Sequence, residues 1–583
     1  MKKWILFLFI VGVLSNLLLI KGPFLWDDDF FIVNNPHIKR VELKSYFTSP
    51  YWMESSLTKG FKGFYRPLVP LSFAIDYKIY GLRSWGFHLT NIIFHLASSI
   101  LLFFVLIQIG LKDKLSFYAS AIFSSASTIR EAVAWISSRG DVLALFFILL
   151  SLYLFLKRKD FMSVFFFMFA LFSKEVSIVF PVFLVTLLFY RRENLKRVIL
   201  FFVADFLFLV VRSLFTSSSF LLKKSIFVLA DRAIKAMGFY FVQGAFPFTG
   251  KVFISPVQVF SQSLFYIPAL IFVVLAISFF VKREKIFLFP AFHAVLLLPA
   301  LSAVLFAIPH SVAFRYGYIP SAFLISFSVL LISKFERIGK IVLPFLLIAS
   351  IINANIINFY WTSEELYWEK AHMDAPDEPF FAIKLAIIEY QKGNVQKSIN
   401  ILRPYISPPN TYTPKILDFL AFIEESRGNL REAESLLKQA LQFSKKIERW
   451  EVQTYGEIII DKTMLYRNLS RVLLKEGKVE EAVLLLESGF KKYGDNPDYK
   501  DQFAIALALA GRCYEARELA IKWAQDVMKI CNLWEKGDPY SMAIVYSYRK
   551  QFEKAKKFCN SLKEGREKCI REIQILKKRL KGE

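Results

Sequence analysis

The sequence predicts an all-α protein in two parts: a polytopic helical membrane domain of about 11 spans over residues 1–360, then an α-solenoid over 361–583. Two features carry this. Apolar runs of about 17–25 residues, the length that crosses a bilayer as a helix, recur through the first part. From about Trp361, charges alternate with apolar positions at helical spacing, in a unit that repeats. A mean hydropathy of +0.42 and 63 Phe with 55% hydrophobic residues exclude an ordinary soluble enzyme.

The first run, Trp4 to Ile20 behind Lys2 and Lys3, shows no small-residue cleavage site and is read as a retained helix. Apolar runs place the spans near 4–20, 88–108, 115–128, 141–156, 161–173, 176–190, 198–216, 264–281, 286–308, 320–334 and 340–357. Alternate connections are basic: "KDK" at 112–114, "KRKD" at 157–160, "RRENLKR" at 191–197, "KREK" at 282–285 and "KFERIGK" at 334–340. With Lys2 and Lys3 they assign that side to the cytoplasm. The connections 21–87, 129–140, 174–175, 217–263 and 309–319 then lie outside, as does everything after 358. The formal charge is +25, and most of the excess falls in residues 1–360. Its placement in short loops points to anionic lipid headgroups, and no nucleic-acid motif appears.

In 361–583 four segments share one pattern: "AIIEYQKGNVQKSINIL", "AFIEESRGNLREAESLLKQAL", "RVLLKEGKVEEAVLLLESGF" and "ALALAGRCYEARELAIKW". Each is an apolar helix, a glycine turn and a second helix. The turn glycines are Gly393, Gly428, Gly477 and Gly511; the first two are 35 residues apart and the last two 34. That is the period of tetratricopeptide repeats, which stack into a solenoid with a peptide-sized groove. "YSYRKQFEKAKKF" reads as a degenerate fifth copy. All four cysteines, Cys513, Cys531, Cys559 and Cys569, lie here. They suit one or two disulfides in an extracytoplasmic domain, or buried free thiols. No spacing suggests zinc.

Polar blocks gather on the outer side of the membrane part: "WDDDFFIVNNP" at 26–36, "FYRPLVPLSFAIDYKIYG" at 64–81, "GFHLTNIIFHL" at 86–96, "SSRGD" at 137–141, "SKE" at 173–175 and "FRYGYIP" at 314–320. Ionisable residues near hydrocarbon are costly and face a cavity or a partner. The Asp27–Asp28–Asp29 triplet crowds like charges beside a bilayer, which raises a carboxyl pKa toward the range of a base working near neutrality.

The order of these blocks resembles the transmembrane and tetratricopeptide-repeat O-mannosyltransferases and their bacterial relatives, within the GT-C superfamily of membrane glycosyltransferases. "DDDFFIVNNP", "YRPL", "HLTN" with a following His, "SRGD", "SKE" and "RYGYIP" carry the resemblance, which extends through the repeats. It implies a multi-pass protein of the bacterial inner membrane. It also implies a lipid-linked phosphosugar donor, polyprenyl phosphate carrying a sugar such as mannose, and an essential acidic residue in the first outer loop. The acceptor would be a hydroxyl of a protein, at Ser or Thr, or of a glycan, docked by the repeats. The chemistry suits the residues. A carboxylate takes the proton from the acceptor hydroxyl as it attacks the anomeric carbon, and cations stabilise the departing phosphate. Direct attack inverts the anomeric centre without a covalent intermediate.

By this resemblance Asp27 and Asp28 align with the acidic pair as candidate bases, and Asp29 is the odd one out. Arg66 and Arg315 match phosphate geometry, although each could instead reach lipid headgroups. His88, Asn91 and His95 share one helix face and line a donor cavity or bond between helices. Arg139 joins the donor-binding set, or pairs with Asp141. Lys174 and Glu175 occupy a tight outer turn, and Tyr316 follows Arg315. Asn35 belongs to an ordinary turn-forming triplet or to the site. Carboxylates here could bind Mg²⁺ or Mn²⁺, without a defined ligand set. The competing function is a non-catalytic, membrane-anchored repeat scaffold for envelope complexes. A transporter ranks low, because the sequence shows no obvious inverted repeat or pair of interrupted helices.

Overall fold

A computed structural model describes residues 1–49, 64–216, 225–305, 311–445, 453–454, 457–458 and 462–581. The connections 21–87, 217–263 and 309–319 and the span 286–308 run partly outside these residues. The chain divides into two compact units, Met1–Leu385 and Ala386–Glu583. Composition alone puts the boundary at 360/361.

Among the described residues of the first unit, eight helices are long and apolar enough to cross a membrane: Lys2–Lys21, Ser84–Ile109, Ile136–Leu156, Leu195–Phe215, Ser263–Lys282, Lys285–Val304, Phe314–Ser333 and Glu336–Tyr360. The chain is a multi-pass membrane protein. Three of the eleven expected spans form shorter helices. The segments 115–128, 161–173 and 176–190 form the shorter helices Asp113–Ser125, Asp160–Ser173 and Phe180–Arg191. Their α-helical parts are 12 to 14 residues long, and the 3-10 turn Glu175–Val179 runs directly into the last of them. Asp113–Ser125 is buried from Ser116 onward, packed against Lys2–Asn16, Ser84–Ile109, Tyr318–Ser333 and Glu336–Tyr360.

A helix also forms where a connection is expected. Ile226–Ala245 carries Asp231, Arg232 and Lys235, which interrupt its apolar run. It packs against Tyr266–Lys282, Lys285–Leu305 and Tyr318–Ser333. After the last span, Glu364–Asp374 and the start of Pro379–Gln391 remain in the first unit. Trp361, Tyr367, Trp368, Phe380 and Phe381 are buried there, and that apolar core moves the unit's end past 360. Arg130 is fully enclosed. It donates to Asn16 Oδ1 at 2.6 Å and to the Ser124 and Ala126 carbonyls at 2.9 Å each, which ties the first helix to residues 124–130.

The second unit is a run of helix pairs. All four predicted turn glycines adopt φ between +81° and +86°. The same closure recurs at every turn: Asn394 N–H to Glu389 O, Asn429 to Glu424, Lys478 to Leu473, Arg512 to Leu507 and Gln551 to Tyr546, all at 2.8–2.9 Å. This is the helix-ending motif that needs a left-handed residue. In the fifth pair Lys550 supplies it, at φ 56°, so the degenerate copy is a true repeat. Disulfides join Cys513 to Cys531 and Cys559 to Cys569. The strand pair Gln453–Thr454 with Glu457–Ile458 is the only extended pairing among the described residues.

Candidate active site

The acidic triplet sits in a tight turn. Asp28 N–H donates to Leu25 O at 3.1 Å, and Leu25 N–H donates back to Asp28 Oδ2 at 2.9 Å. The Ser137 N–H and hydroxyl donate to Asp28 Oδ1 at 2.8 and 2.5 Å. Trp26, the first central residue of the turn, has φ 58°. A bulky side chain in that region costs about 1–2 kcal/mol, which is why glycine usually occupies it. The three carboxylates diverge. Asp27 is half-buried and lines a cavity, Asp28 is buried behind it, and Asp29 is exposed. Burial pushes the Asp28 carboxyl up to about 7. The hydrogen bonds from Leu25 and Ser137 oppose that rise, and neighbouring Asp29 adds to it.

The cavity encloses about 550 Å³. Besides Asp27, it is lined by Arg66, Asp141, Lys174, Glu175, Arg315 and Tyr316, all expected site residues, and by Ser137, Trp135 and Arg212. Leu296, Leu298, Pro299 and Ala300 of helix Lys285–Leu305 give it an apolar wall with Ile178 and Val179. Carboxylates orient three of its cations. Arg66 Nε donates to Glu175 Oε2 at 2.9 Å, and the Tyr65 N–H donates to Glu175 Oε1 at 3.1 Å. Lys174 Nζ meets Asp141 Oδ2 at 2.5 Å, where the Ser138 hydroxyl also donates at 3.0 Å. Arg315 pairs with Glu131 and lies 4.8 Å above the Trp135 ring. Burial pulls the Lys174 ammonium below its ordinary pKa. Asp141 counters this, while nearby Arg66 and Arg315 reinforce it.

The other expected residues brace the walls. His88, Asn91 and His95 do share a buried face of helix Ser84–Ile109, but none lines the cavity. His88 Nε2 is 3.4 Å from Pro23 O. Asn91 donates to the Val133 and Trp135 carbonyls at 3.3 and 3.4 Å. His95 bonds the Tyr318 hydroxyl at 2.9 Å and Ser124 O at 3.1 Å. Arg139 is enclosed by Asp76 at 2.5 Å, Asn91 at 2.6 Å and Phe87 O at 2.7 Å. The Arg139–Asp141 pairing considered from sequence does not form. Two residues apart on a helix, those side chains diverge, and Asp141 turns to Lys174 instead. Asn35 accepts from His37 N–H at 3.0 Å and donates to Phe31 O at 3.1 Å, capping the helix Pro36–Arg40.

Sequence reasoning missed Glu131, Arg212 and Ser137. Arg212 had a signal, being a lone cation inside an apolar span. Glu131 had a weaker one, as the only acid between Ser127 and Arg139. Among the described residues, no group of three or more His, Cys, Asp or Glu is placed to hold a metal ion.

A multi-pass helical unit with a charge-lined, part-apolar cavity, joined to a helical repeat array, defines a class of membrane proteins that carry tetratricopeptide repeats. A tetratricopeptide repeat family model matches residues 415–448. The chain is 29% identical over 160 residues to Protein O-mannosyl-transferase F38B6.6 of Caenorhabditis elegans, covering 27% of this chain and 23% of that protein. It is 32% identical over 135 residues to human Protein O-mannosyl-transferase TMTC1, covering 23% and 15%. It is 32% identical over 150 residues to human TMTC2, covering 25% and 18%. The chain thus spans less than a quarter of the length of these relatives. The similarities bear out the resemblance to the transmembrane and tetratricopeptide-repeat O-mannosyltransferases.

Proposed function

We propose that the chain is a membrane glycosyltransferase that moves a sugar, mannose by similarity to the named relatives, from a polyprenyl-phosphate donor to a hydroxyl acceptor. One observation carries this reading: Asp27 faces a single cavity with Arg66, Lys174, Arg212 and Arg315, beside an apolar wall. The acceptor oxygen attacks the anomeric carbon as the bond from that carbon to the phosphate oxygen breaks. The hydroxyl proton passes to Asp27, and the phosphate leaves with its charge held by the cations. The Glu175, Asp141 and Glu131 partners keep three of those cations in place before the donor arrives. Asp28, behind Asp27, holds the turn to Ser137. The polyprenyl chain lies along the Leu296–Ala300 wall.

We place the reaction on the outer face of a bacterial inner membrane, with the repeats on the same side. Pairing of all four cysteines in disulfides supports an oxidising compartment for them. A second cavity, of about 440 Å³, is lined by Lys529, Lys536, Arg579, Tyr548 and Leu576 within the repeat unit. It is the candidate dock for a protein acceptor modified on Ser or Thr.

The test is incubation of purified protein with labelled polyprenyl-phosphate sugars and envelope extract, read by mass analysis. Transfer with inversion is expected. Asp27→Asn should lower the rate by about 10²–10⁴-fold with the fold intact. Full activity in that variant excludes Asp27 as the base.

A further inference from the structure

Trp26 is bulky, adjacent to Asp27 and in a left-handed backbone. Such a conformation persists only where the surroundings over-determine it. The surroundings here are six aromatic rings. Phe253 and Phe380 stack on the Trp26 ring at centroid distances of 5.9 and 5.5 Å. Trp135, Tyr367, Trp368 and Phe381 close the sides at 5.8, 6.1, 5.3 and 5.7 Å. Four of the six come from the two helices that follow the last span. Trp135 also lines the cavity and carries the Arg315 guanidinium on its face. The box therefore touches the catalytic loop on one side and a cavity cation on the other.

We propose that Trp26 is a positioning residue: its ring, clamped by residues 367–381 and Phe253, fixes the left-handed turn that aims Asp27 into the cavity. The helices after the last span are then a working part of the site. If the ring leaves the box, the Leu25–Asp28 turn relaxes to an ordinary backbone conformation and the Asp27 carboxylate leaves its attack position. The kinetic consequence rests on the glycosyl-transfer reading; the geometric one does not.

Two substitutions separate ring from backbone. Trp26→Gly admits the positive φ but removes the ring, and Trp26→Phe keeps an aromatic ring. With the transferase assay, Trp26→Gly should lower kcat about 100-fold, the scale of a misplacement of about 1 Å, with donor KM unchanged. Trp26→Phe should restore most of the loss. A Trp26→Gly protein with the parental kcat overturns the proposal. The second arm needs no activity. The four native cysteines are disulfide-bonded, so Asp27→Cys adds a single free thiol at the cavity. Its reaction rate with methyl methanethiosulfonate should rise about tenfold when Trp26→Gly is added, as the turn opens. Phe380→Leu, in the opposite wall, should raise it in the same direction and serves if Trp26→Gly does not fold. A rise below about threefold, or a fall, overturns the proposal. If the unmutated protein transfers no sugar, the glycosyl-transfer reading fails and the thiol rates alone decide the role of Trp26.

Discussion

Arg139 and Asp76 in the membrane unit pair with 0% and 4% of their side chains exposed, whereas Arg512 and Glu515 in the repeat unit pair with 40% and 49% exposed. The contrast runs through both units. Lys174–Asp141 and Arg66–Glu175 line one cavity with little exposure, and Arg315 of the same cavity pairs with buried Glu131, while Lys522–Asp498 and Arg517–Glu535 stand in solvent. A buried pair must offset the loss of water around two charges, and it does so only with close geometry and extra hydrogen bonds. The membrane unit supplies these: Arg139–Asp76 is closed by further hydrogen bonds, and the cavity pairs fix their cations in position. The repeats rely instead on apolar helix faces, recurrent turns and two covalent cross-links.

The largest break in this comparison is Arg139→Ala. It strands the Asp76 carboxylate in a site that burial already makes hostile to charge; that carboxyl sits above its ordinary pKa even with Arg139 present. A loss of about 3–5 kcal/mol is expected, seen as a lower melting temperature in detergent and less folded protein on size exclusion. The double change Arg139→Met with Asp76→Leu should recover much of it. Next comes the covalent device of the repeats. Replacing Cys513 and Cys531 by Ser opens a link spanning 18 residues and should cost about 3 kcal/mol, measured by urea unfolding of the full chain with the membrane unit's transition unchanged.

The acidic turn provides the third test. The folded Asp28 carboxyl titrates near 7 against an ordinary 3.8. Between those values the folded protein holds a proton that the unfolded chain has lost. Stability from this group is therefore greatest below about pH 4 and falls as pH rises to about 7, by up to about 1.4 kcal/mol per pH unit. Asp28→Asn should flatten that part of the melting-temperature profile. An unchanged slope means that Asp28 is ionised throughout and that its three donors outweigh burial.

How far the molecule could be read from its sequence follows from the range of each interaction. The repeat turns were legible because a left-handed helix end selects glycine locally; Lys550 was harder to see because only the backbone reveals its conformation. Long apolar spans were legible too. The helices Asp113–Ser125, Asp160–Ser173 and Phe180–Arg191 were legible as apolar runs although they are shorter, and Ile226–Ala245 was missed because three charges break its run. At the site, residue type and block order brought Asp27, Arg66, Asp141, Lys174, Glu175, Arg315 and Tyr316 to one cavity. Partner choice was not legible. Arg139 finds Asp76 from 63 residues away, and Arg66 finds Glu175 from 109 away, through packing that no local pattern encodes. For the same reason His88, Asn91 and His95 show a shared face in sequence without showing that it points into the bundle.

The smallest expected effect tests the other half of the comparison. Arg512 pairs with both Glu487 and Glu515, so a count of ion pairs would rank it above Arg139, which has one carboxylate partner. Exposure reverses that ranking. Water solvates the two glutamates after Arg512→Ala, so neither is stranded, and the loss should stay below about 1 kcal/mol. Raising salt from about 0.1 to 1 M shortens the screening length from about 10 to 3 Å, so the small contribution of Arg512 should vanish at high salt. The cost of Arg139→Ala should persist, because ions do not enter that site. Urea melts of both variants at both salt levels give the four numbers needed. If Arg512→Ala proves as costly as Arg139→Ala, or if both costs shrink equally with salt, burial is not what separates the two sets of pairs, and the cavity cations lose their claim to be held for a ligand.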